Sequence, residues 1–269
     1  MTRKTTSSTD ATRLQVLVDE LKLRGMAAAL DDTLELASRE GTAAHDIIER
    51  LLLAEAHHRR ERALAYRLDQ ARLPWPWTLD SFPFDRQPGV DASQVRTLAN
   101  LDFVRSQTNL VLIGHPGTGK SGIAIALLRQ ACLEGMRARM YSAQELLDEL
   151  YASLADRSTP KLLARLARYD LLLIDELGYL TLKSEQSNAF FKLMDKRYNR
   201  VSTIITTNLD YEDWYPMFDN KPLVDALLDR LKHRCITLRI DGPSLRAPQP
   251  DDAASSKATA RPRARRTKA

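Results

Sequence analysis

The spacing of apolar residues predicts helices in the first quarter of the chain. Over residues 13–73, apolar residues such as Leu14 and Leu17 recur every three to four positions, which is typical of amphipathic helices. Gly25 and Gly41 mark breaks between helices. The pattern therefore predicts a small helical domain, preceded by a polar segment, residues 1–12, that we expect to be disordered.

A different pattern begins at residue 95. Short apolar runs alternate with helical stretches, which is typical of a parallel sheet covered by helices. The predicted strands are residues 109–114, 138–142, 170–175, 201–207 and 235–240. The predicted helices are residues 95–105, 120–134, 144–155, 160–168, 184–198 and 222–233. We therefore expect a five-stranded α/β domain over residues 95–246.

Prolines and aromatic residues separate the two regions. Pro74 and Pro76 cannot continue a helix, so residues 74–94 are predicted to be a linker. Its aromatic residues are expected to anchor it to the next domain, although base stacking by Trp75 or Trp77 is an alternative. Residues 247–269 form a polar tail that we expect to be disordered.

The loop between the first predicted strand and its helix carries a motif. Residues 114–121 fit the pattern G-x-x-x-x-G-K-[ST], and both flanks are those of a strand–loop–helix phosphate site. Such a loop wraps backbone N–H groups around phosphates, and its lysine reaches the terminal phosphates. A glycine-rich turn with a chance lysine is the alternative. The expected nucleotide-binding residues are Gly114, His115, Pro116, Gly117, Thr118, Gly119, Lys120, Ser121 and Gly122.

Acidic residues follow the third predicted strand. Four apolar residues run into Asp175 and Glu176, at the end of a buried strand where open α/β sheets place their ligands. We expect Ser121 to be a direct ligand of Mg²⁺ and Asp175 to hold the ion through its water shell. Glu176 is expected to act as general base on the attacking water, the alternative being a surface acid at a strand end.

A polar amide follows the fourth predicted strand. Asn208 is placed to contact the γ-phosphate or orient the water if its strand lies between the two motif strands; otherwise it is a turn-forming residue. Asp175-Glu-Leu-Gly178 satisfies the GTPase pattern D-x-x-G, but in Asn220-Lys-Pro-Leu223 the guanine-reading aspartate is missing. ATP is therefore favoured over GTP. No residue series suggests the acceptor pocket of a small-molecule kinase.

Taken together, these motifs resemble the AAA+ ATPases, most closely the IstB family of transposition helpers, which is related to DnaC-type helicase loaders. The resemblance covers residues 14–246 and includes the phosphate loop, the Asp175 strand and Thr206-Thr-Asn208. Further matches are Arg197-Tyr198, Trp214, the segment of residues 226–231, and residues 241–246. The short stretch after residue 240 leaves no room for a full helical lid, as in the IstB-like group.

The resemblance implies roles that the motifs alone do not give. Asn208 matches the sensor-1 position, and Arg230 matches the arginine finger that reaches the ATP of a neighbouring subunit. A surface ion pair of Arg230 with Asp229 or Asp225 is the alternative. A lidless AAA+ domain working in trans implies a homo-oligomer with ATP at its subunit interfaces.

Positive charge is concentrated in two short stretches of the chain. Six of the 40 basic residues and none of the 35 acidic ones lie in the last 13 positions, so the rest of the chain is nearly neutral. A second basic stretch, Arg59, Arg60, Arg62 and Arg67, lies on the third predicted helix. Either stretch is suited to the phosphates of DNA, and either is equally explained as a solvated surface.

Two distant cysteines and the lack of a long apolar run favour a cytoplasmic protein without a disulfide framework or a membrane span. The expected function is ATP-dependent assembly on duplex target DNA to assist a cognate transposase, with ATP and Mg²⁺ as cofactors. A replicative helicase loader of the DnaC type is the alternative within the fold, and a nucleotide-gated binding module that hydrolyses little is the alternative outside it.

Overall fold

A computed structural model describes residues 6–178, 182–218 and 220–246, with side chains from residue 13 onward. The chain divides into two compact units, residues 1–70 and 71–269. The predicted tail, residues 247–269, lies outside the described residues, as do residues 1–5.

Three helices make up the first unit, as the apolar spacing predicted: α1 (Thr6–Glu20), α2 (Arg24–Glu40) and α3 (Ala44–Ala71), whose last residue belongs to the second unit. Residues 6–12 are helical, so the disorder predicted for this part of residues 1–12 is wrong. The physical reason is that extending an already nucleated helix adds one hydrogen bond for each residue fixed, and this requires no apolar side chain.

The break expected at Gly25 lies at residues 21–23, and Gly25 itself is inside α2, where it makes a close contact with α3. A Cβ at this position would lie 2.5 Å from the carbonyl oxygen of Ala54 on α3. Beside it, the buried carboxylate of Glu55 accepts hydrogen bonds from the backbone N–H groups of Gly25 (2.8 Å) and Met26 (3.3 Å), at the start of α2. A hydrogen bond from Arg59 is the main cause that lowers the pKa of Glu55. Glu55 thus ties α3 to the N-terminus of α2.

The second unit is a parallel sheet with helices. Its strands are β1 (Asn109–Gly114), β2 (Ala138–Ser142), β3 (Leu171–Leu177), β4 (Ser202–Thr207) and β5 (Cys235–Ile240). Its helices are α4 (Ala92–Leu98), α5 (Asp102–Arg105), α6 (Lys120–Leu133), α7 (Ala143–Ala155), α8 (Thr159–Leu166), α9 (Ser184–Arg197) and α10 (Lys221–His233). The strand order is β2-β3-β4-β1-β5, all parallel, which confirms the predicted fold class.

This order places β4 between the two strands that carry the motifs, β1 and β3. The carboxyl ends of these three strands therefore meet at one edge of the sheet, where the loop after β1 lies beside Asp175 and Asn208. The six residues of β1 and the six of β4 are all buried. Burial on both faces explains the apolar run Leu110–Ile113 of β1, whereas β4 also buries Ser202, Thr203, Thr206 and Thr207.

The structure divides one predicted helix. Residues 95–105 were expected to form a single helix, but α4 ends at Leu98 and α5 begins at Asp102. Leu101 between them has φ of 59°, a left-handed conformation that no α-helix continues through. The apolar spacing carries no signal of this turn, because Val95, Leu98 and Leu101 are all buried as one continuous helix would bury them.

A buried arginine joins three parts of the second unit. Arg197, at the end of α9, donates hydrogen bonds to the hydroxyl of Thr203 (3.0 Å) and to the carbonyl oxygens of Leu166 (2.7 Å), Tyr169 (3.1 Å) and Ser202 (2.5 Å). Its side chain is 1% exposed, and burial lowers its pKa to about 9, so it stays charged at neutral pH. Arg197, one of the residues that match the family, thus links α9 to β4 and to the segment before β3.

The segment after β5 and the apolar content of the helices were also considered in the sequence predictions. The described residues after β5, 241–246, contain no helix. Over the described part of the chain, no helix is long and apolar enough to cross a membrane.

Candidate nucleotide-binding site

The phosphate loop joins β1 to α6 in the geometry that its sequence predicts. β1 ends at Gly114, and α6 begins at Lys120 with Gly119 as its N-cap. Gly117 (φ 83°) and Gly119 (φ 94°) have left-handed backbones, which residues other than glycine adopt only at a cost. Because Gly119 caps α6 without a side chain, the first N–H groups of the helix remain available to an anion.

Lys120 lies across this loop. Its Nζ donates hydrogen bonds to the carbonyl oxygens of Gly114 (2.7 Å) and His115 (2.8 Å). Desolvation lowers the pKa of Lys120, and the negative charges of Asp175 and Glu176 partly oppose that effect. The ammonium group is therefore held inside the loop in a setting that a bound phosphate would stabilise.

Ser121 and Asp175, the residues expected to hold Mg²⁺, are in direct contact. The Ser121 hydroxyl donates a hydrogen bond to Asp175 Oδ1 at 2.8 Å, and the hydroxyl of Thr206 donates to the same oxygen at 2.5 Å. Asp175 is 6% exposed and makes no ion pair among the described residues. A buried carboxylate and a hydroxyl at this distance are the oxygen donors that Mg²⁺ prefers, so the residues fit the ion.

Glu176 and Asn208 line the same cavity as Lys120 and Ser121. The Glu176 side chain is exposed to it. Asn208 Oδ1 is buried and has no hydrogen-bond partner among the residues that the structure describes. A buried amide oxygen without a partner is costly unless a ligand or a water donates to it, so this atom marks a position for one. Asp175 lies behind this surface, against Ser121.

The cavity measures about 460 Å³, and aromatic residues form its other side. Trp75, Trp77 and Phe82 line it together with the loop. A Cβ at Gly119 would lie 2.7 Å from the Phe82 ring, so ring and loop are in close contact. The aromatic segment, residues 75–86, was predicted to be a linker with anchoring aromatics. The structure assigns it to the second unit and to the cavity wall.

The C-terminal segment, residues 241–246, also packs on the loop. The backbone N–H of Leu245 donates to the carbonyl oxygen of Gly117 at 2.8 Å, and Arg246 lines the cavity. Gln87, which is fully buried, donates through Nε2 to the carbonyl oxygens of Thr118 (3.1 Å) and Pro243 (2.9 Å). Gln87 thus connects this segment to the phosphate loop, a role that no sequence motif indicated.

Arg230 lies away from the cavity of its own chain. It is on α10, and its guanidinium is 2.6 Å from the carboxylate of Asp195 on α9. The alternative prediction, a surface ion pair of Arg230 with Asp225 or Asp229, named the wrong carboxylate, since the ion pair is with Asp195. Asp225 instead accepts a hydrogen bond from the hydroxyl of Tyr215. A half-exposed arginine outside its own site is what a role in a neighbouring site requires.

The basic residues predicted for DNA differ in their surroundings on α3. Arg59 donates to Glu55 at 2.6 Å, and Arg60 Nε donates to the carbonyl oxygen of Ala56 at 3.2 Å. Arg60 and Arg62 are exposed, and Arg67 is half-buried.

Within the described residues, no cluster of three or more His, Cys, Asp or Glu side chains is arranged to hold a metal ion.

Known proteins resemble this chain over most of its length. The sequence profile of the IstB-like ATP binding protein family matches residues 16–253. The chain belongs to this family. An insertion sequence IS21 putative ATP-binding protein from Pseudomonas aeruginosa is 37% identical over 233 residues, which are 87% of this chain and 88% of that protein. An insertion sequence IS5376 putative ATP-binding protein from Geobacillus stearothermophilus is 30% identical over 87% of this chain and 93% of its own length.

Solved structures share the fold of the second unit. The crystal structure of the DnaC helicase loader matches with a TM-score of 0.50 and 24% identity, covering 62% of this chain and 97% of that one. Replication initiator DnaA bound to AMPPCP and single-stranded DNA matches with a TM-score of 0.53 and 19% identity, covering 63% and 51%. These likenesses show the AAA+ fold alone. The family match and the sequence relatives confirm the predicted resemblance and identify an ATP-binding protein.

Proposed function

We propose that this member of the IstB-like family hydrolyses ATP and, as an oligomer on duplex DNA, assists the transposase of an insertion sequence. The observation that carries the proposal is that Lys120, Ser121, Glu176 and Asn208 line one cavity, with Asp175 directly behind Ser121. Relatives described as insertion-sequence ATP-binding proteins support the transposition context.

The chain's own residues divide the chemistry among them. The loop N–H groups and Lys120 bind the phosphates, while Ser121 and Asp175 would hold Mg²⁺. Bound Mg²⁺ neutralises charge that develops on the phosphates. Glu176 accepts a proton from the attacking water, and Asn208 Oδ1 orients that water or a phosphate-bound donor.

The aromatic side of the cavity suits the base. Trp75 and Trp77 line the same cavity as a loop that binds phosphates, so a nucleotide in this cavity places its base within reach of them. Stacking on aromatic rings is favourable for any base, and it therefore adds affinity without choosing adenine. We infer that this wall, together with Arg246, closes the site in place of a helical lid.

Arg230 completes the site of a neighbouring subunit in this proposal. Its position outside the cavity and its single carboxylate partner, Asp195, support action in trans. The bidentate guanidinium stabilises charge on the γ-phosphate in the transition state. Hydrolysis would then depend on assembly.

A mixing experiment tests the trans role directly. Glu176→Gln and Arg230→Ala variants are each expected to be inactive, but an equal mixture recovers about a quarter of wild-type turnover, because some interfaces combine an intact Glu176 with an intact Arg230. Asp229→Ala, one residue away, is the matched control and keeps its activity. A mixture as inactive as either variant would refute action in trans.

DNA binding is assigned to exposed arginines of α3. Arg60 and Arg62 are better placed than Arg59, whose guanidinium pairs with Glu55. Arg67 and the basic tail, residues 247–269, stay predictions. Contacts to phosphates make affinity fall with salt, so removing Arg60 and Arg62 reduces the slope of log affinity against log salt by about two.

Three measurements decide the function. The first measures ATP turnover with and without duplex DNA. The second measures particle size with ATP, with DNA and with both. The third measures binding to the transposase encoded by the same element. Stimulation by duplex DNA, a large assembly only with both ligands and binding of the transposase support the proposal. Negligible turnover under every condition indicates a nucleotide-gated binding module, and a preference for single-stranded DNA together with a helicase ring indicates a loader.

A further inference from the structure

The two acidic residues at the end of β3 are arranged by a bulge. Ile174 pairs with Ile205 of β4 and Leu177 pairs with Thr207, so Asp175 and Glu176 together lie opposite one residue, Thr206. Glu176 has φ of 61°, a left-handed backbone that is rare outside glycine. In a regular strand, neighbouring side chains would alternate between the two faces of the sheet. The bulge instead lets Asp175 contact Ser121 while Glu176 lines the cavity.

The Thr206 side chain makes a hydrogen bond to each of the two acidic residues in the bulge. Its hydroxyl donates to Asp175 Oδ1 at 2.5 Å and accepts from the backbone N–H of Glu176 at 2.9 Å. The Thr206 side chain is completely buried, so no bulk water replaces it in either contact. One hydroxyl thus fixes the carboxylate of the first acid and the backbone of the second.

We propose that Thr206 is a positioning residue for ATP hydrolysis, holding Asp175 towards Ser121 and holding Glu176 in the strained backbone conformation that aims its carboxylate into the cavity. The proposal rests on the hydrolysis proposed above. It adds that the catalytic geometry depends on a hydroxyl that touches neither substrate nor metal. Serine keeps this hydroxyl, whereas valine keeps the shape of threonine and loses both hydrogen bonds.

The same strand offers a matched control. Thr203 is also completely buried in β4, and its hydroxyl accepts from Arg197 at 3.0 Å, away from the cavity. Thr203→Val therefore removes a buried threonine hydroxyl from the same strand without touching the acids. Its thermal midpoint measures how much stability such a loss costs and separates that cost from misplacement of the site.

The test compares Thr206→Val, Thr206→Ser and Thr203→Val in the full chain. For Thr206→Val we expect kcat to fall about tenfold or more with KM changed less than about twofold, since losing an outer-shell partner of this kind costs about 10- to 100-fold. Thr206→Ser restores most of kcat. Thr203→Val keeps kcat although it lowers the thermal midpoint. A Thr206→Val enzyme with wild-type kcat, or a loss matched by Thr203→Val, overturns the proposal.

A second measurement needs no hydrolysis. Amide hydrogen exchange at Glu176 in the nucleotide-free protein is expected to accelerate in Thr206→Val, because its N–H loses its acceptor, but not in Thr206→Ser or Thr203→Val. Unchanged exchange at Glu176 overturns the inference even if turnover falls. If the wild-type protein shows no ATP turnover at all, the proposed function fails, and this exchange measurement still decides whether Thr206 holds the bulge.

Discussion

The two sides of the nucleotide cavity are built in different ways. The motif side consists of the phosphate loop, the Asp175–Glu176 pair and Asn208, which lie at the ends of adjacent parallel strands. The closing side consists of the aromatic segment, residues 75–86, and the C-terminal segment, residues 241–246, which come from distant parts of the chain and contact the loop. In the proposed function, the first side holds the groups that react, and the second holds the groups that enclose the ligand. Changes on the motif side should therefore lower kcat, and changes on the closing side should mainly weaken affinity.

The largest effect is expected for Glu176→Gln. The amide keeps the size of the side chain but cannot accept the proton of the attacking water, so turnover should fall about 100-fold or more while ATP binding is kept. Steady-state kinetics and equilibrium binding measured on the same protein test this. Glu185→Gln, on α9, is the control for loss of an acidic side chain outside the cavity. Unchanged turnover in Glu176→Gln would remove the general base from the motif side.

Gly117→Ala should disturb the contact between the two sides. A Cβ at Gly117 would lie 2.0 Å from the Ser244 hydroxyl oxygen and 3.0 Å from the Ser244 Cβ, so the hydroxyl has to turn away and lose its hydrogen bond from the Arg246 N–H. Gly135 has a similar left-handed backbone but nothing within 4 Å of its Cβ position. Gly135→Ala thus carries the same backbone cost, about 1 kcal/mol, without the clash. We expect ATP affinity to fall about tenfold or more in Gly117→Ala and to stay unchanged in Gly135→Ala, as measured by titration.

Gln87→Met tests the polar link between the two sides. Methionine fills nearly the same volume but donates nothing to the carbonyl oxygens of Thr118 and Pro243, which costs about 1–3 kcal/mol of stability. We expect a lower thermal midpoint and a several-fold loss of ATP affinity, with kcat at saturation nearly unchanged. A fall in kcat with unaltered affinity would show that the segment positions reacting groups, contrary to the division drawn above.

The smallest effect is expected for Trp75→Ala. Loss of one stacking ring weakens nucleotide binding by about 1 kcal/mol or more, which is about fivefold. Inorganic triphosphate, which has no base, should bind both proteins equally and so separates base stacking from phosphate binding. Tyr151→Ala, an exposed aromatic residue on α7, is the control. Equal losses for ATP and triphosphate would show that Trp75 supports the loop and does not stack on the base.

The sequence predicted the motif side well because its signals are local. Glycines at fixed spacing, a lysine at the start of a helix and acids after an apolar strand each follow from the chemistry of a single segment. The strand bounds 109–114, 138–142 and 235–240 are reproduced in the structure. The helix predicted over residues 95–105 failed at Leu101, where a left-handed leucine produces no change in apolar spacing.

The closing side was missed because its contacts are not local. Gln87 and Pro243 are far apart in sequence, and nothing in the residues near either one indicates the other. Trp75 and Trp77 were recognised as anchoring or stacking residues, but only the fold shows that they face the phosphate loop. The partner of Arg230 was missed for the same reason, since Asp195 is on another helix while Asp225 and Asp229 are neighbours in sequence.

The sequence by itself thus determined the family, the ATP-binding loop and the order of strands and helices, because each depends on residues close together in the chain. Only the tertiary structure decided how the site is closed and how its acids are aimed. A bulge that sets Asp175 and Glu176 against Thr206, and a C-terminal segment seated on Gly117, both require two distant segments to meet. Packing and hydrogen bonding between the folded segments determine which residues meet. The residue pattern of one strand does not indicate which strand will lie beside it.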